Sequence, residues 1–411
     1  MSDPSRVVVV GGGAAGFFAA ITCASAARNR EVVLLEQGPQ FLTKVRISGG
    51  GRCNVTNACQ NPRELSTKYP RGGRALIGPL TRFGPRETVE WFARRGVRLH
   101  AEADGRMFPV TNSSATIVDC LRNAAREAGV ALRTGAGVRS AESRPDGFDL
   151  TLSDGSHLEC ARLCVAIGGC RSAALGKWIE ALGHTIETPV PSLFAFHVNA
   201  DWLRDLAGIA MPDVAVSVPE TKLRERGPVL LTHWGLSGPA ILRLSAWGAR
   251  ELHGMDYHFP LRMNWLPDWT ADRLLAEFQS RRGTDPNKAV VNHPIAPVPA
   301  RLWAEFARGA GIGPDVRWTT LTRASALALA DALTRMELPV HGKTLNKDEF
   351  VTCGGVRLKE VDFKTMESRL CPGLHFAGEI LDIDGITGGF NFQAAWTTGW
   401  IAGHAMAGVS G

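Results

Sequence analysis

The sequence is poor in the features that mark disordered and fibrous proteins. Its 411 residues contain no low-complexity tail and no repeat of solenoid period. Charged residues make up 21% and hydrophobic residues 45% of the chain, which is the balance of an ordinary globular protein. Disordered and collagen-like classes are therefore excluded, and the length allows two or three domains with buried cores.

Long uncharged runs are absent apart from residues 7–27, which approach the length of a membrane-spanning helix. The glycines in this run, and its change of pattern at Gly11, indicate a strand, a tight turn and a buried helix instead. We therefore expect no membrane partner.

Neither sign of charge dominates the sequence. The 46 Lys and Arg residues exceed the 40 Asp and Glu residues by only six, and the basic residues are scattered along the chain. Such an excess favours anionic ligands only weakly, so a small molecule is the expected partner and nucleic acid is not. No pattern in the sequence specifies an oligomeric state.

The nine cysteines form neither a CxxC pair nor a metal-like cluster. Because their count is odd and the start MSDPSR lacks a signal-peptide pattern, we expect reduced thiols in the cytoplasm. Cys53 and Cys59 could form the redox pair of a disulfide reductase, but their spacing is wider than such enzymes use. Ordinary thiols are the favoured interpretation.

Strand and helix signals alternate at both ends of the chain. The first 35 residues predict a βαβ unit, proline-rich β-like segments begin near residue 189, and helical spacing follows over 270–336. We predict an α/β fold in which a Rossmann-like domain is discontinuous in sequence and contains an inserted β-barrel and a helical subdomain. The predicted ranges are 1–188 and 351–411 for the Rossmann-like domain, 189–268 and 338–350 for the barrel, and 269–337 for the helical subdomain.

Three glycines form a GxGxxG motif directly after the first predicted strand. Gly11 permits a tight turn, Gly13 lets the backbone approach a pyrophosphate, and Gly16 allows the helix to pack on the strand. Glu36, at the end of the next strand, would accept hydrogen bonds from an adenosine ribose. The motif in this context indicates dinucleotide binding, and the alternative is a glycine turn in an apolar core.

Two further glycine-rich segments carry polar groups. KVRISGGGRCNVTN at 44–57 could wrap its amides round a planar or phosphorylated ligand, with a solvated loop as the alternative. FAGEILDIDGITGGFNFQ at 376–393 leads into a final helix whose first N–H groups would face an electron-rich group. Asp382 and Asp384 do not complete the spacing of a calcium loop, so no metal site is predicted.

Together these segments resemble the BaiN/YhiN-type family of FAD-dependent oxidoreductases, within the two-dinucleotide-binding flavoprotein class. The matching stretches span almost the whole chain, and ISGGGRCNVTN and GEILDIDGITGGFN are the most specific of them. The resemblance implies an extended FAD in the Rossmann-like, FAD-binding domain, and a substrate domain inserted into it.

Carried over position by position, the resemblance implies FAD contacts from several segments. The expected cofactor-binding residues are Gly11, Gly13, Ala14, Ala15, Gly16, Glu36, Gln37, Lys44, Arg46, Ser48, Gly49, Gly50, Arg52, Asn54, Val138, Ala166, Gly168, Gly378, Glu379, Gly389, Asn391 and Phe392.

The predicted reaction is hydride transfer between flavin N5 and a small organic substrate. Lys44 or Arg46 would assist electrostatically, and His233 is a candidate acid or base, with a structural role at a turn as the alternative. The sequence lacks a second GxGxxG, so NAD(P)H is expected only as a transient donor, with O2 as a candidate acceptor. Two alternatives stay open, a flavin-dependent tRNA-modifying enzyme and a flavin-bound sensor without turnover.

Overall fold

The computed structural model describes residues 6–170, 173–344 and 351–409. The chain divides into two compact units, which we call unit 1 (Met1–Ser192 with Asn346–Gly411) and unit 2 (Leu193–Leu345). The end of the predicted barrel segment, residues 345–350, lies outside the described residues, as do positions 1–5, 171–172 and 410–411 of the predicted Rossmann-like domain.

The described residues form the following strands and helices. The strands are β1 (Val7–Val10), β2 (Val32–Leu35), β3 (Thr56–Asn57), β4 (Leu99–Ala101), β5 (Arg106–Pro109), β6 (Ala131–Arg133), β7 (Val138–Arg144), β8 (Gly147–Leu152), β9 (His157–Cys160), β10 (Arg162–Val165), β11 (Ile186–Ser192), β12 (Ala195–Val198), β13 (Ala210–Ser217), β14 (Arg224–Thr232), β15 (Gly235–Ser237), β16 (His258–Asn264), β17 (Met336–Thr344), β18 (Val351–Val356), β19 (Val361–Asp362), β20 (Glu367–Ser368) and β21 (Leu374–Phe376). The α-helices are α1 (Ala14–Ala26), α2 (Thr43–Gly51), α3 (Pro62–Ser66), α4 (Gly73–Arg82), α5 (Pro85–Ala93), α6 (Ser114–Glu127), α7 (Ala173–Ala181), α8 (Asp201–Asp205), α9 (Pro239–Trp247), α10 (Ala249–Gly254), α11 (Ala271–Thr284), α12 (Ala300–Gly309), α13 (Arg323–Thr334) and α14 (Phe390–Ala407). Short 3₁₀ helices lie at Val290–Asn292, Trp318–Thr320, Leu358–Glu360 and Gly378–Ile380.

Unit 1 is built on a seven-stranded sheet in the order β19-β20-β21-β10-β1-β2-β6. The strands from β21 to β6 are parallel, and β19 and β20 add antiparallel pairs at one edge. All four valines of β1 are buried, because a central parallel strand is covered on both faces and needs apolar side chains on each. The predicted βαβ unit is confirmed.

Helices α1 and α14 pack closely against each other in unit 1. Glycines on α14 make this approach possible: a Cβ at Gly399 would lie 2.5 Å from the carbonyl oxygen of Ala15, and one at Gly403 would lie 2.6 Å from that of Ala19. The first and last long helices of unit 1 are therefore in backbone contact at positions where only glycine fits.

Unit 2 contains a closed six-stranded barrel in the order β12-β15-β14-β13-β16-β17, together with helices α8–α13. Strand β16 alternates exposed and buried residues, as expected of a strand with one face on a core. The predicted fold class, a discontinuous Rossmann-type domain with a barrel and a helical part inserted in the chain, is confirmed. No helix within the three described ranges is both long and apolar enough to cross a membrane.

Candidate functional site

Unit 1 holds a cavity of about 400 Å³ beside the carboxyl ends of its parallel strands. Gly11 follows β1, Ala166 follows β10 and Gly378 follows β21 closely, and all three line the cavity. Ligands of open parallel sheets bind in the crevice at this edge. The predicted cofactor-binding residues that line the cavity are Gly11, Gly13, Ala14, Ala15, Glu36, Lys44, Ser48, Gly49, Ala166, Gly168, Gly378, Glu379, Asn391 and Phe392.

The glycine turn between β1 and α1 combines close backbone contacts at Gly11 and Gly16 with open space at Gly13. A Cβ at Gly11, where φ is 110°, would lie 2.3 Å from the carbonyl oxygen of Ala166, and a Cβ at Gly16 would lie 1.9 Å from that of Gly11. A Cβ at Gly13 would have no atom within 4 Å apart from those of its chain neighbours, so the space beside this residue is open. Among the described residues no side chain caps α1 at Gly13, which leaves the first N–H groups of the helix to a ligand.

Glu36 lines the cavity and also stabilises the glycine turn by hydrogen bonds. Its carboxylate accepts hydrogen bonds from the N–H groups of Gly12 (2.9 Å) and Gly38 (2.7 Å). Each carboxylate oxygen has a second lone pair, so the group retains the capacity to accept from a ribose hydroxyl. Its predicted contact with the ribose stays a prediction.

Lys44 and Glu379 form an ion pair in the cavity wall. Lys44 Nζ lies 2.6 Å from Glu379 Oε2, and Glu379 Oε1 accepts the N–H of Thr352 at 2.8 Å. A Cβ at Gly168 would lie 3.8 Å from Glu379 Oε2 and 4.0 Å from Lys44 Nζ, so this loop runs directly beside the pair. Arg46 points elsewhere and is exposed, because two residues along a helix turn a side chain to the opposite face.

The GGG segment departs from helical geometry, as its composition allows. Gly49, Gly50 and Gly51 have φ values of 59°, 65° and 81°, and Ser48 before them is extended. Gly49 and Gly50 are both exposed, but Gly49 lines the cavity and Gly50 lies outside the lining.

The polar residues after GGG contact other parts of unit 1. Arg52 pairs with Glu102 at 2.8 Å and lies over the Phe108 ring. The Asn54 amide accepts the N–H of Gly389 at 2.9 Å and donates to the carbonyl of Thr56 at 3.0 Å. These two side chains therefore hold the loop and the start of α14 in place.

The start of α14 is fixed by contacts on both sides. Gly389, with φ at 88°, lies so close to the carbonyl of Thr56 that a Cβ would come within 2.3 Å of its oxygen. The Asn391 amide both accepts from and donates to the backbone of Gly385. Phe392, one position further, lines the cavity.

A buried ion pair anchors the acidic part of the C-terminal motif. Arg71 pairs through two nitrogens with the fully buried carboxylate of Asp384, and Ser192 Oγ donates to the same carboxylate at 2.7 Å. Burial raises the pKa of Asp384, and the Arg71 guanidinium opposes this effect. Asp384 therefore has a structural partner, while its neighbour Ile383 lines the cavity.

Several predicted site residues lie away from the cavity lining. Gly16 packs beneath the turn, Gln37 lies beside Gly137, and Val138 is half-buried at the start of β7. His233 is exposed in the β14–β15 turn of unit 2. The residues outside the lining, whose assignments stay predictions, are Gly16, Gln37, Arg46, Gly50, Arg52, Asn54, Val138, Gly389 and His233.

Sequence reasoning missed part of the lining. The additional lining residues are Gly12, Gln40, Leu42, Thr43, Val45, Val351, Ile383, Ala394 and Ala395. Helical spacing from Asn391 could have suggested Ala394 and Ala395 on α14, whereas Thr43 and Val45 on α2 directly flank Lys44 in the sequence. Val351 and Ile383 have no local signal, because the tertiary fold brings them to the cavity.

All nine cysteines are free thiols in the structure. Cys53 is fully buried, and burial raises the pKa of its thiol to about 12. Cys59, partly exposed, forms a long contact with the carbonyl of Asn61. A thiol held protonated is a poor nucleophile, so this pair does not have the character of a redox centre.

Comparison with known proteins confirms the resemblance noted in the motifs. Residues 5–405 match the family described as HI0933-like protein Rossmann domain. Among curated relatives, ribosomal RNA dihydrouridine synthase from Escherichia coli is 32% identical over 381 residues, covering 90% of both chains. The 3-dehydro-bile acid delta(4,6)-reductase of Clostridium scindens is 29% identical over 385 residues, covering 92% of this chain and 93% of that one.

A solved structure shares the fold over the full length. The 3-ketosteroid delta1-dehydrogenase of Sterolibacterium denitrificans superposes with a TM-score of 0.52 at 13% identity, covering 98% of this chain and all of that one.

Proposed function

The chain belongs to the HI0933-like protein Rossmann domain family and is an FAD-dependent oxidoreductase, and from that premise we propose that it reduces a carbon–carbon double bond conjugated to a carbonyl group. The substrate is a small organic molecule that would accept a hydride at the carbon remote from the carbonyl.

The observation that carries the FAD site of this proposal is that one cavity is lined both by the Gly11–Ala15 turn and by the start of α14. An extended dinucleotide has a diphosphate near its middle and a ring system at each end. The residues present fit this group: the N–H groups of Ala14 and Ala15 would hold the diphosphate, Glu36 the ribose, and Asn391 and Phe392 the flavin end.

The names of the relatives support the choice of bond. Making dihydrouridine saturates a ring double bond next to a carbonyl, and a delta(4,6)-reductase of a 3-dehydro bile acid acts on double bonds conjugated with a ketone. A double bond conjugated to a carbonyl accepts a hydride at the carbon remote from the carbonyl and a proton at the carbon next to it. The common chemistry is thus the reduction of an electron-poor double bond.

Bound FAD supplies the hydride, and the chain supplies charge, orientation and a proton. Among the described residues that line the cavity, Lys44 is the one lysine or arginine. Its ammonium, oriented by Glu379, would stabilise negative charge on the substrate carbonyl oxygen. Lys44 Nζ then gives a proton to the carbon beside the carbonyl, and solvent returns a proton to the amine.

The positive end of α14 is the second electrostatic element. Asn54 accepts the N–H of Gly389 and Asn391 accepts that of Gly385, and these contacts fix the position of the helix start. The first N–H groups of the helix would favour negative charge at the flavin end of the cavity. NAD(P)H fits the role of a transient hydride donor, since the sequence has a single GxGxxG.

The test is a single-turnover experiment on the purified protein. FAD released on denaturation is quantified first. The bound flavin is then reduced anaerobically with NADH, NADPH or dithionite, and mixed with cyclic enones, dienones or their saturated analogues. We expect reoxidation by the conjugated compounds alone, with the saturated product identified by mass spectrometry. Protein without FAD, or flavin that no conjugated compound reoxidises, contradicts the proposal; the second result favours the sensor interpretation.

A second candidate substrate is a uracil base within ribosomal RNA, favoured by the relative that is 32% identical over 90% of the chain. It requires the same hydride and proton additions. Incubation of the reduced protein with ribosomal RNA, followed by measurement of dihydrouridine, distinguishes it from a small-molecule reductase. Transfer RNA included in parallel tests the tRNA alternative.

A further inference from the structure

Aromatic side chains follow one face of α14 from the cavity to the end of the helix. Phe392, Trp396, Trp400 and His404 recur at four-residue spacing, which places them on one side of a helix. We call these four residues the aromatic ladder. Phe392 lines the cavity and stacks on Trp396, with ring centroids 5.5 Å apart and planes at 13°; the Trp400 and His404 centroids are 4.1 Å apart.

Two phenylalanines bridge the middle of the aromatic ladder. Phe18 of α1 lies 4.7 Å from Trp396 and 5.7 Å from Phe83, between ring centroids. Phe83 in turn lies 5.2 Å from Trp400 and is stacked on it at 23°. Successive aromatic rings therefore remain in contact from the cavity wall to Trp400.

The aromatic ladder leads from the interior to the surface. Trp396 is fully buried, and its indole is held by a hydrogen bond from Nε1 to the carbonyl of Val55 at 2.9 Å. Trp400 and His404 are partly exposed. An electron that reaches Trp400 from solution would thus have a continuous path of rings to the cavity.

A side branch from Phe18 reaches Trp91 at 4.5 Å. The guanidinium of Arg95 lies 3.7 Å from the centroid of the Trp91 ring, whereas that of Arg82 lies 5.9 Å from the centroid of the Trp400 ring. A close cation opposes positive charge on an oxidised indole. Trp400 is therefore the favoured surface end of the path.

We propose that the aromatic ladder is a one-electron route between the bound flavin and the surface, by which light reduces the cofactor without a nicotinamide. The inference rests on the proposed FAD site. Trp396 gives one electron, past Phe392, to FAD in its photoexcited state; Trp400 returns an electron to Trp396; and a thiol or ascorbate in solution returns one to Trp400. Two such passages, with protons from water, oxidise the solution donor by two electrons and reduce the flavin by two.

The experiment illuminates the FAD-loaded protein with blue light, anaerobically and with dithiothreitol, and follows the loss of flavin absorbance and the flavin fluorescence. We expect Trp396→Phe to slow photoreduction by about tenfold and to increase fluorescence, because the nearest electron donor is lost. Trp400→Phe slows photoreduction as well. Trp265→Phe is the matched control, since Trp265 is equally buried but lies in unit 2, and it leaves the rate unchanged.

Photoreduction at the wild-type rate in both Trp396→Phe and Trp400→Phe overturns the proposal. If Trp396→Phe releases FAD, the partly exposed Trp400→Phe decides the result. FAD content and single-turnover reduction of an enone with dithionite are measured on the same preparations. A variant that loses photoreduction but still reduces the enone supports the role of the aromatic ladder. A wild-type protein that lacks FAD or does not reduce the enone contradicts the proposed function instead.

Discussion

Lys44 and Glu379 are far apart in the chain, yet their charged groups meet at 2.6 Å in the cavity wall. Each comes from a different glycine-rich segment, so the pair forms only when both parts of unit 1 have assembled. The backbone N–H of Thr352 holds the other oxygen of Glu379 and thereby orients the lysine.

Replacing Lys44 tests its proposed role toward the substrate. We expect Lys44→Met to lower the rate of enone reduction on the order of a hundredfold while FAD stays bound, because a preorganised charge is lost from the reacting site. Stopped-flow reoxidation of the reduced protein measures the rate. Lys222→Met, at an exposed lysine in unit 2, is the control. Equal rates for the two variants would contradict the assignment.

The buried pair of Arg71 and Asp384 predicts a large loss of stability on truncation. Arg71→Met leaves a buried carboxylate without its cation, which costs about 3–5 kcal/mol of unfolding free energy. The double variant Arg71→Met/Asp384→Asn recovers part of the loss. For Arg262→Met, which breaks a half-exposed pair with Glu337 at 2.7 Å, we expect about 1 kcal/mol or less. Urea denaturation of the four proteins gives the comparison, and similar losses for both single variants would refute the prediction.

His375 makes stability depend on pH. Burial lowers the pKa of His375 to about 4 from an ordinary value of 6.5, so the folded protein resists protonation that the unfolded chain accepts. The contribution of His375 to stability is therefore constant above pH 6.5 and falls by roughly 3 kcal/mol as the pH drops toward 4. Thermal unfolding across this pH range should show a weaker slope for His375→Gln. The exposed His341→Gln serves as control, and an unchanged slope in His375→Gln would show the prediction to be wrong.

Substitution of two glycines of the same motif should affect different properties, stability for Gly16 and FAD binding for Gly13. Gly16→Ala forces a Cβ against the carbonyl of Gly11, and such overpacking costs about 1–3 kcal/mol. The methyl group of Gly13→Ala would meet no protein atom within 4 Å beyond its chain neighbours but would occupy space expected for FAD. We therefore expect normal stability of the protein without FAD and weakened FAD binding. Thermal unfolding of the apoprotein and fluorescence titration with FAD separate the two effects. Loss of apoprotein stability in Gly13→Ala would contradict this account.

The sequence predicts the elements whose signals are local. The apolar run of β1, the glycines at 11–16 and the helix after Gly389 all carry patterns that span a few residues, and the structure has them where expected. The ion pair of Arg52 could not be predicted in this way, because only the tertiary fold brings Glu102 next to it. The same is true of Val351, which reaches the cavity from β18 without any motif of its own.

The glycine contacts between α1 and α14 also bear on how the two helix starts are kept together. Any side chain at Gly399 or Gly403 would push α14 away from the carbonyls of Ala15 and Ala19 on α1. Since α1 opens at the glycine turn after β1 and α14 opens at Phe390, such a change would displace the starts of these two helices from each other.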